Sequence, residues 1–444
     1  MRFDDFRAKA FKIALEKGCE SAELFMQDSE ETSIKVLEGK VDSYDYSHTT
    51  GANLRVKHQG KDGYYYTESF DDPEKAVIKA MDNALFASSD EHPWCSESVD
   101  IYDMPEVDLT AEMMSPGDLI SLALDAEKYA LESDKRVLRM DYNGASTFKQ
   151  TTLICNTLGQ NSAYTKSAFF TAISPIVGEG DEVRDSFAYL TGADARNSKV
   201  LAKTATAMAI AKLGAKPVAG GDYKIILQSK VATDMLGIFC SQFSAEAAQK
   251  GLSPLAGKEG TMIAAPCVSI TDDPLHKYNP RPFDDEGVAS VVTPVIHKGK
   301  FISLLHNLKT AKKAGVKSTS NAGRAGTASG IGVAPSNFIL KEGDTSLEMM
   351  LREMGDGLLI CEVAGQHAGA NAVTGDFSLM ASGFKVENGK VTAPVDQIII
   401  AGNFNRMLCD IEKVGNDTFF DLPLGSVFAS PSLYIPKGIK VSGE

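Results

Sequence analysis

The sequence is short of the residues that self-contained metal and redox sites are made from. It has seven histidines, and no two stand within four residues of one another. Zinc takes three or four closely held His, Cys or carboxylate ligands, so a local paired-histidine helix is excluded. The seven cysteines (Cys19, Cys95, Cys155, Cys240, Cys267, Cys361 and Cys409) are scattered and odd in number, with no pair at CxxC spacing. That argues against a zinc ribbon and a disulfide framework, and predicts reduced, buried thiols in a cytoplasmic protein. There is no GxSxG elbow and no GxGxxG fingerprint. No apolar run is long enough to cross a bilayer, and the opening MRFDDFRAKAFKIALEKG lacks the apolar core of a signal peptide. Positive charge is also in deficit: 45 Lys and Arg against 59 Asp and Glu leave a formal net charge of −14. Such a chain repels nucleic acid and anionic membranes, so neither is expected as a direct partner.

What is present is an ordinary globular composition on a 444-residue chain, enough for two or three domains. The expected class is α+β. A helix from about Phe3 to Lys17 is followed by strand-like segments to about Ser69, with turn signals at Glu38-Gly39 and Asp62-Gly63. Asp72 and Pro73 then open a second helix whose apolar face is Val77, Ala80, Met81 and Ala84. After a Pro- and acid-rich link over 91–110, Ser115, Pro116 and Asp118 open another helix. Strands from about Val137 to Leu190 follow, and a closing helix stops at Gly214. Helix, strands, helix occurs twice, which reads as a duplicated α/β half in an N-terminal domain over 1–217; pattern alone carries this, since the residues show little identity. From 218 to 444 the texture is that of a β-rich domain. GDYKIILQS reads as an alternating strand, and hairpins are expected at His297–Lys300 and at Asn388-Gly389, the latter suited to a type I′ turn.

The chemistry-bearing candidates are few. FCSQFSAEAAQKGLSPLAG, Phe239 to Gly257, reads as part of a helix beginning near Lys230, with Met235, Leu236, Phe239 and Phe243 on its apolar face. Glu246 borders that face, and Lys250 follows at i+4, the favourable order for a surface pair worth about 0.2–0.5 kcal/mol. GLSPLAGK has one residue too many for a phosphate loop, and Glu259 stands where Ser or Thr is needed. Asp272-Asp273 and FDDEG (Phe283 to Gly287) could hold a cation or serve acid–base work, but Asp before Pro or Gly is more often turn chemistry. LKTAKKAGVKSTSNAGRAG, Leu308 to Gly326, puts Lys309, Lys312 and Lys313 on one helix face and Arg324 in a Ser/Asn/Gly loop. It reads either as a solvated face and a mobile loop, or as a loop that closes on a peptide or another anionic ligand. GTASGIG, Gly326 to Gly332, is flexible by composition.

The helix, DDPLHKYNPRPFDDEGVAS, HNLKTAKKAG with STSNAGRAG, VTGDFSLMASGFKVENGK and IAGNFNRML follow one another in an order that resembles the TldD/PmbA family, also labelled modulators of DNA gyrase. The resemblance covers nearly the whole chain and is strongest after residue 220. It implies two kinds of subunit: a TldD kind, a metalloprotease with an HExxxH helix and a cysteine ligand close to the C-terminus, and a TldE/PmbA kind that lacks them. Laid on this chain, the motif's Glu falls on Glu246 and its two histidines on Ala245 and Lys250, and DLPLGSVFASPSLYIP has no cysteine. The resemblance therefore implies a TldE/PmbA-like chain with a degenerate metal site and no metal or cofactor of its own. Zinc is expected in a TldD-like partner, and the pair would act on unfolded or short peptides. Asn321, Gly323 and Arg324 are the candidate peptide contacts. Two alternatives stay open: a peptidase acting alone with Glu246 as general base, and a non-enzymatic, homodimeric modulator.

Overall fold

The computed structural model describes residues 2–87, 92–99 and 114–443, so the acid-rich link lies outside the described residues except for 92–99. Helix α1 (Phe3–Glu16) buries Phe6, Ala10 and Ala14, one face at i, i+4, i+8. Strands β1 (Ser21–Leu37), β2 (Lys40–His58) and β3 (Lys61–Thr67) form an antiparallel meander. Helix α2 (Pro73–Phe86) is capped by Asp72, whose side chain accepts from Lys75 N at 2.9 Å. Helix α3 (Pro116–Ser133) opens with the capping box of Ser115 and Asp118. Strands β4 (Val137–Asn156), β5 (Asn161–Glu179), β6 (Glu182–Asp185) and β7 (Ala188–Thr191) follow, and then helix α4 (Ser198–Ala211), capped by Asn197. All seven strands join one sheet in the order β3-β2-β1-β4-β5-β6, with β7 beside β5. The two helix–strands–helix units thus meet along the antiparallel β1–β4 seam.

The turn after β2 is at Gln59-Gly60, where φ is +52° and +74°, and not at the expected Asp62-Gly63. Gly63 lies inside β3 for a packing reason. A Cβ there would stand 2.0 Å from the Ala80 carbonyl oxygen, so the missing side chain lets α2 lie directly on the strand.

Beyond α4 come β8 (Gly221–Asp222), β9 (Ile225–Leu227), helix α5 (Ser229–Phe239) and the short helix α6 (Ala245–Gln249). Next are β10 (Ile270–Asp272), β11 (Thr293–His297), β12 (Lys300–Phe301), α7 (Leu308–Ala314), β13 (Ala322–Gly323), β14 (Gly332–Val333) and β15 (Asn337–Leu340). Helix α8 (Leu347–Met354) precedes β16 (Gly357–Ala364), β17 (Asp376–Glu387) and β18 (Lys390–Asn403). An eight-stranded sheet runs Lys413–Val414, Leu433–Ile435, β9, β16, β17, β18, Lys440–Ser442, β8, and a six-stranded sheet runs β12, β11, β10, β15, Val427–Ser430, Phe419–Phe420. Strands β13 and β14 make a separate two-stranded ribbon. The fold is mixed α+β. Both expected hairpins form, with φ of +52° and +75° at Asn388 and Gly389, and +48° and +82° at Lys298 and Gly299.

Strand β9 does not alternate as expected. Ile225, Ile226 and Leu227 are all fully buried, because β9 lies inside the sheet between Leu433–Ile435 and β16 with both faces covered. The largest core cluster packs Val231, Met235, Leu236 and Phe239 of α5 with Phe243, Leu305 and Phe338, and takes in residues of both sheets. No helix among the described residues is long and apolar enough to cross a membrane. All seven cysteines are free, but Cys267 and Cys409 are exposed, which corrects the expectation that the thiols are buried.

Candidate functional site

The expected single helix through Glu246 is two helices. Helix α5 ends at Phe239, Cys240–Phe243 form a 3₁₀ turn, and Ser244 is extended at φ −79°, ψ 125°. Ser244 caps the new helix by accepting from Ala247 N at 3.4 Å, and Ala245 N donates to Leu305 O at 2.9 Å. Helix α6 therefore starts afresh, with its register set by a Ser N-cap rather than by the apolar stripe of α5. Ala245 is fully buried in the main core. Lys250 Nζ sits 2.6 Å from Glu246 Oε1, one turn along. Both side chains keep much of their exposure, so this pair stabilises the fold by only about 0.3–0.5 kcal/mol. The donor set on α6 is one carboxylate, one buried methyl and one ammonium, and it does not fit a zinc ion. Among the described residues, Asp28, Glu30 and His48 are the group whose donor atoms come within 4.8 Å of one another, and they lie on β1 and β2. The stretch DLPLGSVFASPSLYIP supplies Val427–Ser430 and Leu433–Ile435, both sheet strands.

Helix α7 borders the same region. Asn307 caps it, donates to Gly332 O at 3.2 Å, and so ties α7 to the ribbon. Gln249 Nε2 donates to Thr310 O at 2.8 Å, which fastens α6 to α7. A groove of ≈540 Å³ results, with Glu246 on one side and Lys250, Lys309, Lys312 and Lys313 around it. On the ribbon, a Cβ at Gly332 would stand 3.5 Å from Glu246 Oε2.

The three candidate peptide contacts fare differently. Asn321 is fully buried: its amide donates to Asp272 Oδ2 at 2.6 Å and Ala334 O at 3.2 Å, and its oxygen accepts from Thr319 at 2.7 Å. Its side chain is spent on holding the loop together. Gly323 and Arg324 line a polar cavity of ≈270 Å³ between the ribbon and the long N-terminal strands. A Cβ on Gly323 would meet Ala334 Cβ at 2.7 Å, so glycine is what lets the ribbon close. The Arg324 guanidinium lies 4.6 Å from the centre of the Phe25 ring and donates to Ser329 O at 3.0 Å. The loop expected to be flexible is pinned to the N-terminal sheet, where Thr327 donates to Gln27 Oε1 at 2.7 Å and its carbonyl accepts from Asn53 at 3.0 Å.

Both acidic clusters are turn and loop chemistry. Asp272 accepts from Ser336 N, Ser336 Oγ and Asn321. Asp284 accepts from the backbone N–H groups of Glu286, Val288 and Ala322. Glu286 accepts from Leu308 N at 2.8 Å and is hydrogen-bonded to His92. Burial pushes the Glu286 carboxyl up and the His92 imidazole down to about 3, so both shifts favour the neutral forms. His92 also accepts at its carbonyl from Arg55, which pairs with Asp62 at 2.6 Å and stacks 4.3 Å from Trp94. This buried cluster, with Lys166 and Arg281 of the polar cavity, was beyond sequence reasoning: its members come from five separate stretches of chain and carry no spacing signal.

Three domain models of one family match along the chain in order: PmbA/TldA metallopeptidase domain 1 over residues 22–87, the central domain over 110–213 and the C-terminal domain over 220–443. The chain belongs to the PmbA/TldD metallopeptidase family. It is 28% identical to Metalloprotease PmbA of Escherichia coli O157:H7, over 92% of this chain and 90% of that one. A crystal structure from Thermotoga maritima, of a candidate modulator of a DNA gyrase, matches with TM-score 0.89 and 30% identity, covering 99% of this chain and 100% of that one. The crystal structure of TldE from Thermococcus kodakarensis has TM-score 0.89 at 21% identity over 99% of this chain, which shows a shared fold.

Proposed function

We propose that this chain is the TldE/PmbA-like subunit of a TldD/TldE-type metalloprotease complex that cleaves unfolded or short peptides. The observation that carries the reading is α6: Ala245 and Lys250 stand at the expected ligand positions, and the remaining carboxylate, Glu246, is hydrogen-bonded to Lys250. An ammonium at that point opposes a cation as well as failing to bind one. In this reading zinc and its activated water belong to a TldD-like partner, and this chain supplies walls and peptide contacts, including Gly323 and Arg324. Peptides would lie as an added β-strand held mainly through main-chain hydrogen bonds, with little side-chain preference. A cytoplasmic location, no metal in this chain and no direct contact with nucleic acid complete the proposal.

The test is a peptidase assay on the isolated chain, on the TldD-like protein of the same cell, and on the two together. Cleavage of an unfolded peptide only by the mixture is the expected result. Cleavage by the isolated chain would overturn the proposal and favour a peptidase with Glu246 as general base. Stable self-association without binding to the TldD-like protein would favour a homodimeric modulator.

A further inference from the structure

The polar cavity beside the ribbon is lined by more cationic than anionic side chains. Lys166 on β5, Arg281 and Arg324 line it, against one acid, Asp285. Asp285 Oδ2 is already engaged by the backbone N–H of Arg324 at 2.8 Å. Among the described residues, none of the three cations forms an ion pair with a carboxylate. Arg281 donates instead to Ser320 O at 3.1 Å and Ala322 O at 3.5 Å, and Arg324 to Ser329 O. The Nε–H of each arginine is buried without an acceptor. The Lys166 ammonium forms no hydrogen bond or ion pair with a described residue. Three cations and one acid line the cavity, and the further carboxylates that act on them, Asp284 and Asp272 on Arg281 and Glu23 on Arg324, do so from behind the lining without an ion pair to either guanidinium. Burying unpaired charge is costly, and a protein keeps such a group where a ligand completes it. Burial and the nearby Arg281 already bring the Lys166 ammonium down to about 8.

The unused donors of this lining fit a carboxylate. Two planar guanidiniums and an ammonium match planar, bidentate oxygen acceptors. At ≈270 Å³ the cavity has room for more than a bare carboxylate. It also shares the β13–β14 ribbon with the motif helix. Ala334 lines the cavity, and Gly332, about 7 Å of strand away, lies against Glu246. A peptide running beside this ribbon would bring one end to the cavity.

We infer that the cavity formed by Lys166, Arg281 and Arg324 is a binding site for the carboxylate of a peptide, its C-terminus being the group that fits at the end of a bound strand. The inference rests on the peptide-handling reading above and specifies which part of the peptide this chain holds.

The test is calorimetric titration of the full-length chain with N-acetyl-tetra-alanine as the free acid, with its C-terminal amide, and with inorganic phosphate. The free acid is expected to bind about tenfold or more tightly than the amide. Lys166→Met and Arg324→Gln should each remove that preference. Lys166→Met is the safer variant, since Lys166 makes no hydrogen bond whose loss would unfold the chain. Equal affinity for acid and amide, no binding of the acid, an acid preference that survives Lys166→Met, or tight phosphate binding without acid binding would each overturn the assignment. The two proposals fail separately. Cleavage of both peptides by the complex without an acid preference in binding sinks the carboxylate site alone. Acid-selective binding with no cleavage by the complex sinks the protease reading alone.

Discussion

Lys250 Nζ lies 2.6 Å from Glu246 Oε1 across one turn of α6. The single carboxylate of α6 is therefore paired within the chain itself, on a helix whose first residue, Ala245, faces the core. These two environments differ, and they make opposite predictions for substitution.

Ala245→His and Lys250→His should separate cleanly. Lys250 is solvent-facing, so Lys250→His should change stability by no more than about 0.5 kcal/mol. Ala245 is fully buried, and an imidazole there overpacks the core, at a cost of about 1–3 kcal/mol. Thermal unfolding of both single variants and the double variant checks this. Any zinc binding regained by the double variant should come with the stability loss of Ala245→His.

Gly323→Ala should disturb the ribbon that joins α6 to the polar cavity. Its Cβ would fall 2.7 Å from Ala334 Cβ, so β13 and β14 must part. A stability loss of about 1–3 kcal/mol is expected, together with weaker peptide binding. Gly330→Ala, which meets nothing within 4 Å and does not line the cavity, is the matched control and should lose neither.

Much of this architecture was legible in the chain. Asp72, Ser115 and Asp118 announced two helix starts because caps are local chemistry, and Asn388-Gly389 announced its hairpin for the same reason. The failures were tertiary. Gly63 resembles a turn residue after Asp62, but its glycine serves the approach of α2. Strand β9 looks half-exposed in sequence, and only the sheet order shows both faces covered. The Glu246–Lys250 pair follows from i, i+4 spacing, whereas the break at Ser244 depends on the contact of Ala245 N with Leu305. Arg324 was singled out in sequence, but Lys166 and Arg281 are ordinary cations until the fold sets β5 against the 320s loop.

The Glu286 carboxyl provides a pH test. Its folded value is raised to about 7 by burial, against 4.5 when unperturbed. A raised acid contributes stability that is present below about 4.5 and is lost as pH rises through about 7. The groups facing it are Asp284, His92, Arg55, Glu23 and Arg324; Asp284 is itself raised by burial and by Glu286, and His92, lowered by burial, contributes with the opposite sign at acid pH. Glu286→Gln removes this titration and the upward push of Glu286 on Asp284, and both changes act in the same direction. Relative to the parent, its melting temperature should be higher at pH 8 than at pH 5. A difference that does not change between the two would contradict a raised carboxyl.

Asp272→Ala should be among the most damaging single changes in the C-terminal half. Asp272 is fully buried, and its loss strands Ser336 N, Ser336 Oγ and an Asn321 amide hydrogen. Leaving these buried donors unsatisfied should cost about 3 kcal/mol or more, read from urea unfolding.

Zinc stoichiometry tests the central claim most directly. Elemental analysis of the purified chain, and of its complex with a TldD-like protein, should give no zinc on the chain alone and one zinc per pair in the complex. One zinc bound to the isolated chain would contradict the account, and would mean that residues other than Ala245 and Lys250 complete a site in this subunit.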